Sequence, residues 1–290
     1  MNNGVVVFAH NNSEIDYGSM ALANSYLINY YLNQPITLVT DEGTFNYMSN
    51  KNKNKMQIFD KIIYSDKHLD KVSQKTMRDT SYSEKILNWY NCDRIHAFEF
   101  SPYDKTLVLD SDYLIFNDKL KYAFDSNESY LMNSSVVPLQ RQYNWFISEE
   151  KLNINSIKQY WATAFYFEKN DYTNAIFDFA KFVYENYDYY KALYNTSGKA
   201  FRNDHLFSIV NHTFSGLLGA EISSLPISYL LTAPDYDELI EIEKNTATFL
   251  VVKPKETYDF HLTQIKDTNV HVMNKQSILR NVNKILEIYS

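Results

Sequence analysis

Residues 104–118 read Asp-Lys-Thr-Leu-Val-Leu-Asp-Ser-Asp-Tyr-Leu-Ile-Phe-Asn-Asp, an apolar run closed by Asp110 and Asp112 and resumed by a second apolar run. Two carboxylates one residue apart offer hard oxygen ligands of the kind that magnesium, manganese or calcium takes. A magnesium-like ion completes its shell with water and substrate phosphates. The spacing alone says little, because 20 Asp in 290 residues give about 1.4 such pairs by chance, and the chain has two. The other, Asp235-Tyr-Asp237, follows Pro234 and opens an acidic stretch, as carboxylates do in the first turn of a helix. Asp110 and Asp112 instead follow Thr-Leu-Val-Leu, too short for a helix and preceded by the turn residues Ser-Pro-Tyr-Asp. They are expected at the carboxyl end of a buried strand, where open α/β sheets bind ligands. Alternation along a strand would point both to one side and Ser111 to the other. The plain alternative is a pair of solvated carboxylates closing a strand. An EF-hand is excluded by Leu114, Ile115 and Lys121 at its fifth, sixth and twelfth positions.

Strand and helix signals alternate around this segment. Val5–Ala9 and Ile36–Val39 read as strands flanking a helix whose one face carries Met20, Ala23, Leu27 and Tyr30, a βαβ unit. Further strands are expected at Ile62–Tyr64 and Thr106–Leu109, and Asn269–Lys275 reads as a strand reaching a turn. A helix is expected over Ser83–Cys92 from Ile86, Leu87 and Tyr90, and a longer one over Asp171–Tyr187, where Ile176, Phe179, Ala180, Val183 and Tyr184 recur at three-and-four spacing. Ile278, Val282, Ile285 and Tyr289 predict a C-terminal helix capped by Ser277. With neither internal repeat nor linker, the reading is one domain over 1–290, with 233–290 as a C-terminal extension that closes the site.

Composition narrows the function classes. Apolar residues make up 45% of the chain and aromatic ones 16%, enough for a sizeable core, while six Gly and six Pro argue against a linker-rich or disordered protein. One cysteine, Cys92, excludes an internal disulfide and a cysteine zinc site, and fits a reducing cytoplasm, bacterial or that of a virus's host. No apolar run approaches the roughly 18 residues of a membrane span. A net charge of −7 gives no global attraction to nucleic acid, and the basic run Lys51–Lys55 reads as a loop tip. Neither Gly-x-Gly-x-x-Gly nor Gly-x-x-x-x-Gly-Lys follows the first strand, so hydride transfer and NTP hydrolysis are not indicated.

The segment Arg94-Ile-His-Ala-Phe-Glu-Phe-Ser-Pro-Tyr-Asp-Lys-Thr-Leu-Val-Leu-Asp110-Ser-Asp112 resembles the core of GT-A-fold glycosyltransferases. It is most similar to the glycosyltransferase family 8 group that includes glycogenin and bacterial galactosyltransferases. The likeness is specific over about residues 80–120 and loose elsewhere. It implies a Rossmann-like α/β fold with a mixed, mainly parallel central sheet flanked by helices. It further implies a metal, Mn2+ or Mg2+, on Asp110, Asp112 and a late histidine, His271 or the competing His261. By the same resemblance Ala9, His10, Asn11 and Asn12 line base and ribose, joined by Asp41, whose alternative role is to cap a turn into Glu42-Gly43. Ser111 belongs to the same donor set. Arg94 contacts the donor sugar or phosphate, with Lys85 and Arg78 as backups, and Lys275 grips the diphosphate. Trp161–Phe167 resembles the strand bordering the acceptor. Phe201-Arg-Asn-Asp204-His205 resembles the family's Asp-Gln helix start, with Asp204 as catalytic carboxylate or, alternatively, an ordinary helix cap. His205 stands where the family has Gln, and the fuller His-x-x-Gly-x-x-Lys-Pro-Trp signature is absent.

The expectation is therefore a metal-dependent hexosyl- or pentosyltransferase moving a sugar from a nucleoside-diphosphate sugar, UDP-sugar first, to a hydroxyl. The resemblance favours retention of anomeric configuration. The acceptor stays open between a saccharide, a protein and a hydroxymethylated DNA base; Tyr143, Trp145, Phe146, Tyr160 and Trp161 are aromatic candidates to stack on it. Two other classes stand beside this reading. A sugar-phosphate nucleotidyltransferase shares paired carboxylates but would release pyrophosphate, and a non-catalytic sugar- or metal-binding module would bind without nucleotide dependence.

Overall fold

A computed structural model describes residues 2–66, 73–80, 83–90, 93–139, 148–149, 151–153, 155–196, 200–217, 221–252 and 260–290. Cys92, Tyr143, Trp145 and Phe146 lie outside the described residues.

Val5, Val6 and Val7 form a strand because β-branched side chains pack well on a pleat covered on both faces. Each is fully buried, and burying a side chain of this size stabilises by about 1.5–3 kcal/mol. This strand, β1 (Asn3–Ala9), pairs in parallel with β2 (Ile36–Thr40) on one side and with β6 (Lys105–Asp110) on the other. β3 (Lys61–Tyr64) extends the parallel part, and β11 (Ala164–Glu168) and β8 (Tyr130–Met132) complete a six-stranded sheet of order β3-β2-β1-β6-β11-β8. β11 runs antiparallel to both its neighbours. The expected mixed, mainly parallel sheet flanked by helices is thus the one observed.

One face of the sheet is covered by α1 (Tyr17–Leu32) and α7 (Lys275–Tyr289), the other by α4 (Asp171–Glu185) and α6 (Asn203–Phe214), with the short α3 (Ala97–Phe100) and α5 (Tyr187–Leu193) packed against α4. α1 differs from the one-faced helix expected: Gly18 through Ile28 are all buried because sheet, α7 and the following helix surround it, while Tyr30 is exposed. That following helix, α2 (Glu42–Asn52), ends in Lys51–Lys55, which runs on into a 3-10 turn in place of a loop tip. α4 starts at a reciprocal cap between Asn170 and Thr173 and buries Ile176, Phe177, Ala180 and Val183. α7 is capped by Asn274, whose side chain accepts from the Ser277 amide at 3.0 Å; Ser277, the expected cap, sits one turn inside.

A second sheet, of order β10-β9-β12-β16-β7, meets the first at the two aspartates. It comprises β7 (Tyr113–Leu114), β9 (Ser135–Pro138), β10 (Ser148–Glu149), β12 (Leu230–Ala233) and β16 (Val270–Val272). A third, antiparallel sheet of β13 (Glu238–Glu243), β14 (Thr246–Val252) and β15 (Phe260–Lys266) packs under α7. Asp235 and Asp237 therefore precede a strand, contrary to the helix read from their acidity: Leu239 and Ile242 supply a buried side, and pairing with β14 decides.

The largest departure is at residues 73–89. β4 (Ser73–Asp79) and β5 (Ser83–Trp89) form an antiparallel hairpin where a helix was expected over Ser83–Cys92. Ile86 and Leu87, read as one helix face, point to opposite sides of β5, Ile86 being 68% exposed while Leu87 packs on the core.

Candidate active site

β6 ends at Asp110, which sits opposite Phe8 of β1 and donates its amide to Thr163 O at 2.9 Å. Ser111 and Asp112 make the turn by which the chain leaves the first sheet for β7 in the second. β7 pairs with β16, placing His271 opposite Tyr113, and the Val272 amide donates to Asp112 O at 2.9 Å. Two carboxylates and an imidazole from distant segments are thereby collected: ligand atoms of Asp110, Asp112 and His271 all lie within 4.8 Å of one another. The sheet crossing brings the two aspartates together, where simple strand alternation had been expected. His261 lies on β15, outside this group.

Each aspartate already meets a cation. Arg94 pairs with Asp110 and donates to Ala162 O at 2.9 Å, while Lys275 pairs with Asp112 beside His271 Nε2, 3.4 Å from the same carboxylate oxygen. Burial opposes ionisation of Asp112, but Lys275 and His271 hold its carboxyl far below the usual range. Arg94 is buried, which removes the plain reading of a surface arginine beside Asp93.

These residues line a cavity of about 210 Å³, together with Tyr17, Lys75, Trp161, Arg202 and Asp204. Asp204 accepts from the Ala162 amide at 2.9 Å and pairs with Arg202 Nη2 at 2.9 Å. It is not a helix cap, since α6 begins at Asn203 and its cap position is Arg202. Burial raises its carboxyl, but Arg202, the Ala162 amide and Arg94 bring it below the ordinary value, so it is ionised at neutral pH. Its neighbour His205 is buried away from the cavity, and burial with Arg202 pushes it down to about 4, so it is neutral. Two cavity-lining residues carry a buried donor without a partner among the described residues, Tyr17 its hydroxyl and Trp161 its indole N–H. Tyr160 is buried in the core below.

The expected donor-end residues divide. His10 and Ser111 line the cavity, whereas Ala9 is buried, its carbonyl taken by the Thr40 hydroxyl. Asn11 and Asn12 line a neighbouring open groove with Asp41. Their side chains shape the turn into α1: Asn11 accepts from the Gly18 amide at 2.8 Å and Asn12 from the Ile15 amide at 2.8 Å. Asp41 caps α2 by accepting from the Thr44 amide at 2.8 Å. Lys85 and Arg78 are on the hairpin, outside this cavity, with Lys85 paired to Glu14 at 2.8 Å and Arg78 to Glu84 at 2.9 Å. Sequence reasoning missed Lys75, Tyr17 and Arg202; only Arg202, two residues from Asp204, carried a signal.

His10 is buried between Asp41 (3.2 Å) and Asp93 (3.0 Å). Burial alone would lower its pKa, but the two carboxylates raise it above the ordinary value. A raised folded-state pKa gives stability that is full below the unfolded value, about 6.5, and is lost as pH rises through the folded one. Thermal melts should show the wild-type advantage over His10→Gln shrinking as pH rises above about 6.5. A difference that stays flat with pH would remove the charged pair from the account.

No family model and no curated protein matches the chain. Among solved structures it is similar to the apo-form glycosyltransferase GlyE of Streptococcus pneumoniae TIGR4, over 78% of this chain and 45% of that one, at 14% identity and a TM-score of 0.42. The chain thus spans less than half of GlyE's length. The galactosyltransferase LgtC, in complex with donor and acceptor sugar analogs, is similar over 73% of this chain and 70% of its own, at 12% identity and 0.43. For the mannosyltransferase PcManGT of Pyrobaculum calidifontis, in complex with GDP-Man and Mn2+, the coverages are 79% and 56%, at 11% identity and 0.39. Identities this low leave the activity to be argued from the site itself.

Proposed function

We propose that this chain is a metal-dependent glycosyltransferase that moves a sugar from a nucleoside-diphosphate sugar to an acceptor hydroxyl. The observation that carries the reading is the charge order of one cavity: the Asp110–Asp112–His271 group flanked by Arg94 and Lys275, with the ionised Asp204 on another wall. Two carboxylates and one imidazole at this separation fit Mn2+ or Mg2+, which would be held by Asp110, Asp112 and His271. When bound, such an ion neutralises charge on the departing diphosphate.

The chain's own residues supply the rest. Arg94, whose planar fork suits phosphate oxygens, and Lys275, a point charge with three donors, turn from the aspartates to the diphosphate and stabilise the leaving group. Asp204 faces the sugar and stabilises positive charge at the anomeric carbon in a retaining transfer, or accepts the acceptor's proton in an inverting one. Trp161 borders the acceptor. His10 and Ser111 belong to the donor end, with Asn11, Asn12 and Asp41 forming the groove that takes the base. Segment 233–290 delivers His271 and Lys275, and so closes the site as an extension of a single domain.

The test is thermal stabilisation by nucleoside diphosphates and nucleotide sugars, with and without Mn2+. Ligand at 100 times its Kd stabilises the folded state by about 2.7 kcal/mol. A rise in Tm that requires both a diphosphate and the metal is expected, and the base that gives the largest rise names the donor. No rise with any diphosphate would leave a binding module; pyrophosphate release from an NTP would convert the reading to a nucleotidyltransferase.

A further inference from the structure

The β4–β5 hairpin brings one more cation to the cavity. Lys75, on β4, lines it together with Met77 and Trp89, and its ammonium lies over the Trp89 ring, 5.5 Å from the centroid. The other hairpin cations are committed elsewhere, Lys85 to Glu14 and Arg78 to Glu84. Among the described residues, no carboxylate pairs with Lys75. Both strands of the hairpin are tied to the body of the protein. Arg280 of α7 grips Asp79 through two bonds of 2.8 and 2.9 Å, and the Asn12 amide donates to Asn88 O at 3.0 Å. Lys75 is therefore a cation on a braced strand, with an aromatic face limiting its excursions, and less ordering remains to be done when it meets a ligand.

Its neighbours say what that ligand is. Lys75 lines the cavity, where burial by the surrounding protein, with Lys275 and Arg202 adding repulsion, pushes the ammonium down to about 8; Asp112 and Asp204 pull the other way. Arg94, Arg202 and Lys275 are each paired to a lining carboxylate, Asp110, Asp204 and Asp112 in turn, so Lys75 brings to this small volume a positive charge left over for an entering polyanion. A neutral sugar gains little from such a charge, whereas a diphosphate, with more than one charge spread over several oxygens, gains most.

We propose that Lys75 is a diphosphate-gripping residue, carried on the hairpin into the cavity that the metal-ligand group also lines. It rests on the nucleoside-diphosphate reading above. Its compact ammonium with three rotatable donors suits phosphate oxygens, and the charge it adds lies on the leaving side of the transfer. The hairpin is then part of the donor site as well as a wall beside it.

Calorimetric titration of the full chain with inorganic pyrophosphate in the presence of Mn2+ isolates this contact from recognition of base and sugar. Lys75→Met is expected to weaken pyrophosphate binding about tenfold, with Lys75→Arg close to wild type and with Mn2+ binding alone unchanged in both. No carboxylate pairs with Lys75 among the described residues and its strand is tied elsewhere, so both variants should melt as wild type does; Lys75→Gln serves as a second neutral replacement. Wild-type pyrophosphate affinity in Lys75→Met and Lys75→Gln would overturn this assignment and leave the donor site standing. A wild-type chain that binds neither pyrophosphate nor any nucleoside diphosphate with Mn2+ would instead overturn the donor reading and this inference with it.

Discussion

Asp112→Asn should lose metal-dependent donor hydrolysis and transfer by about 10³-fold, the scale on which removal of one developing-charge stabiliser acts. The side chain is buried and shared by Lys275 and His271, so the amide removes a ligand charge and unbalances the site at once. The second effect has its own signature. Breaking a buried pair by removing one partner strands the other charge, at a cost of about 3–5 kcal/mol. Lys275→Met in the same chain should therefore recover most of the lost Tm while leaving turnover absent. The pH dependence has a definite sign: a depressed carboxyl contributes stability that is present above the unfolded value, about 4, and is lost as pH falls through the folded one. The acid limb of the wild-type stability curve should accordingly be steeper than that of Asp112→Asn. Donor hydrolysis that stays metal-dependent and undiminished in Asp112→Asn would sink the proposed function.

The parallel strands were legible because a strand buried on both faces writes itself as an unbroken apolar run, as in Val5–Ala9 and Thr106–Leu109. The residues placed at their ends followed, and Asp110, Asp112, Arg94 and Lys275 do meet in one cavity. What the sequence hid was set by partners rather than by local pattern. Ser83–Trp89 has side chains that fit a helix face, but seven residues of antiparallel pairing with β4 override them. Lys75 sits in Ser-Gln-Lys-Thr-Met-Arg-Asp, whose polar run gives no hint that one side of it looks into a cavity. In the sequence only resemblance, through its nearness to Lys275, favours His271 over the competing His261; β16 lies beside β7, next to Asp112, and that pairing is what brings His271 to the aspartates. Asn11 and Asn12 were visible as residues at a strand end, yet the amides they accept from are those of the turn they build.

Asp204→Asn should lower transfer by about 10²–10³-fold while leaving diphosphate and metal binding intact, a magnitude ordinary for one positioned acid–base or charge-stabilising group. The substitution keeps the oxygen that accepts from Ala162 and removes only the charge, so the fold around 161–163 should persist and the melt should barely move. Arg202 gives an independent handle. It is the foremost influence opposing burial at this carboxylate, so Arg202→Met should let the Asp204 carboxyl rise. The acid limb of the pH–rate profile, set by loss of the ionised carboxylate, should then move to higher pH, and it should be absent from Asp204→Asn altogether. A carboxylate serving only to hold the Ala162 amide predicts otherwise: Asp204→Asn would transfer sugar at the wild-type rate, and Arg202→Met would leave the profile where it was. Measuring both variants against Mn2+ and diphosphate binding on the same preparations separates a residue that faces the sugar from one that merely braces the wall behind it.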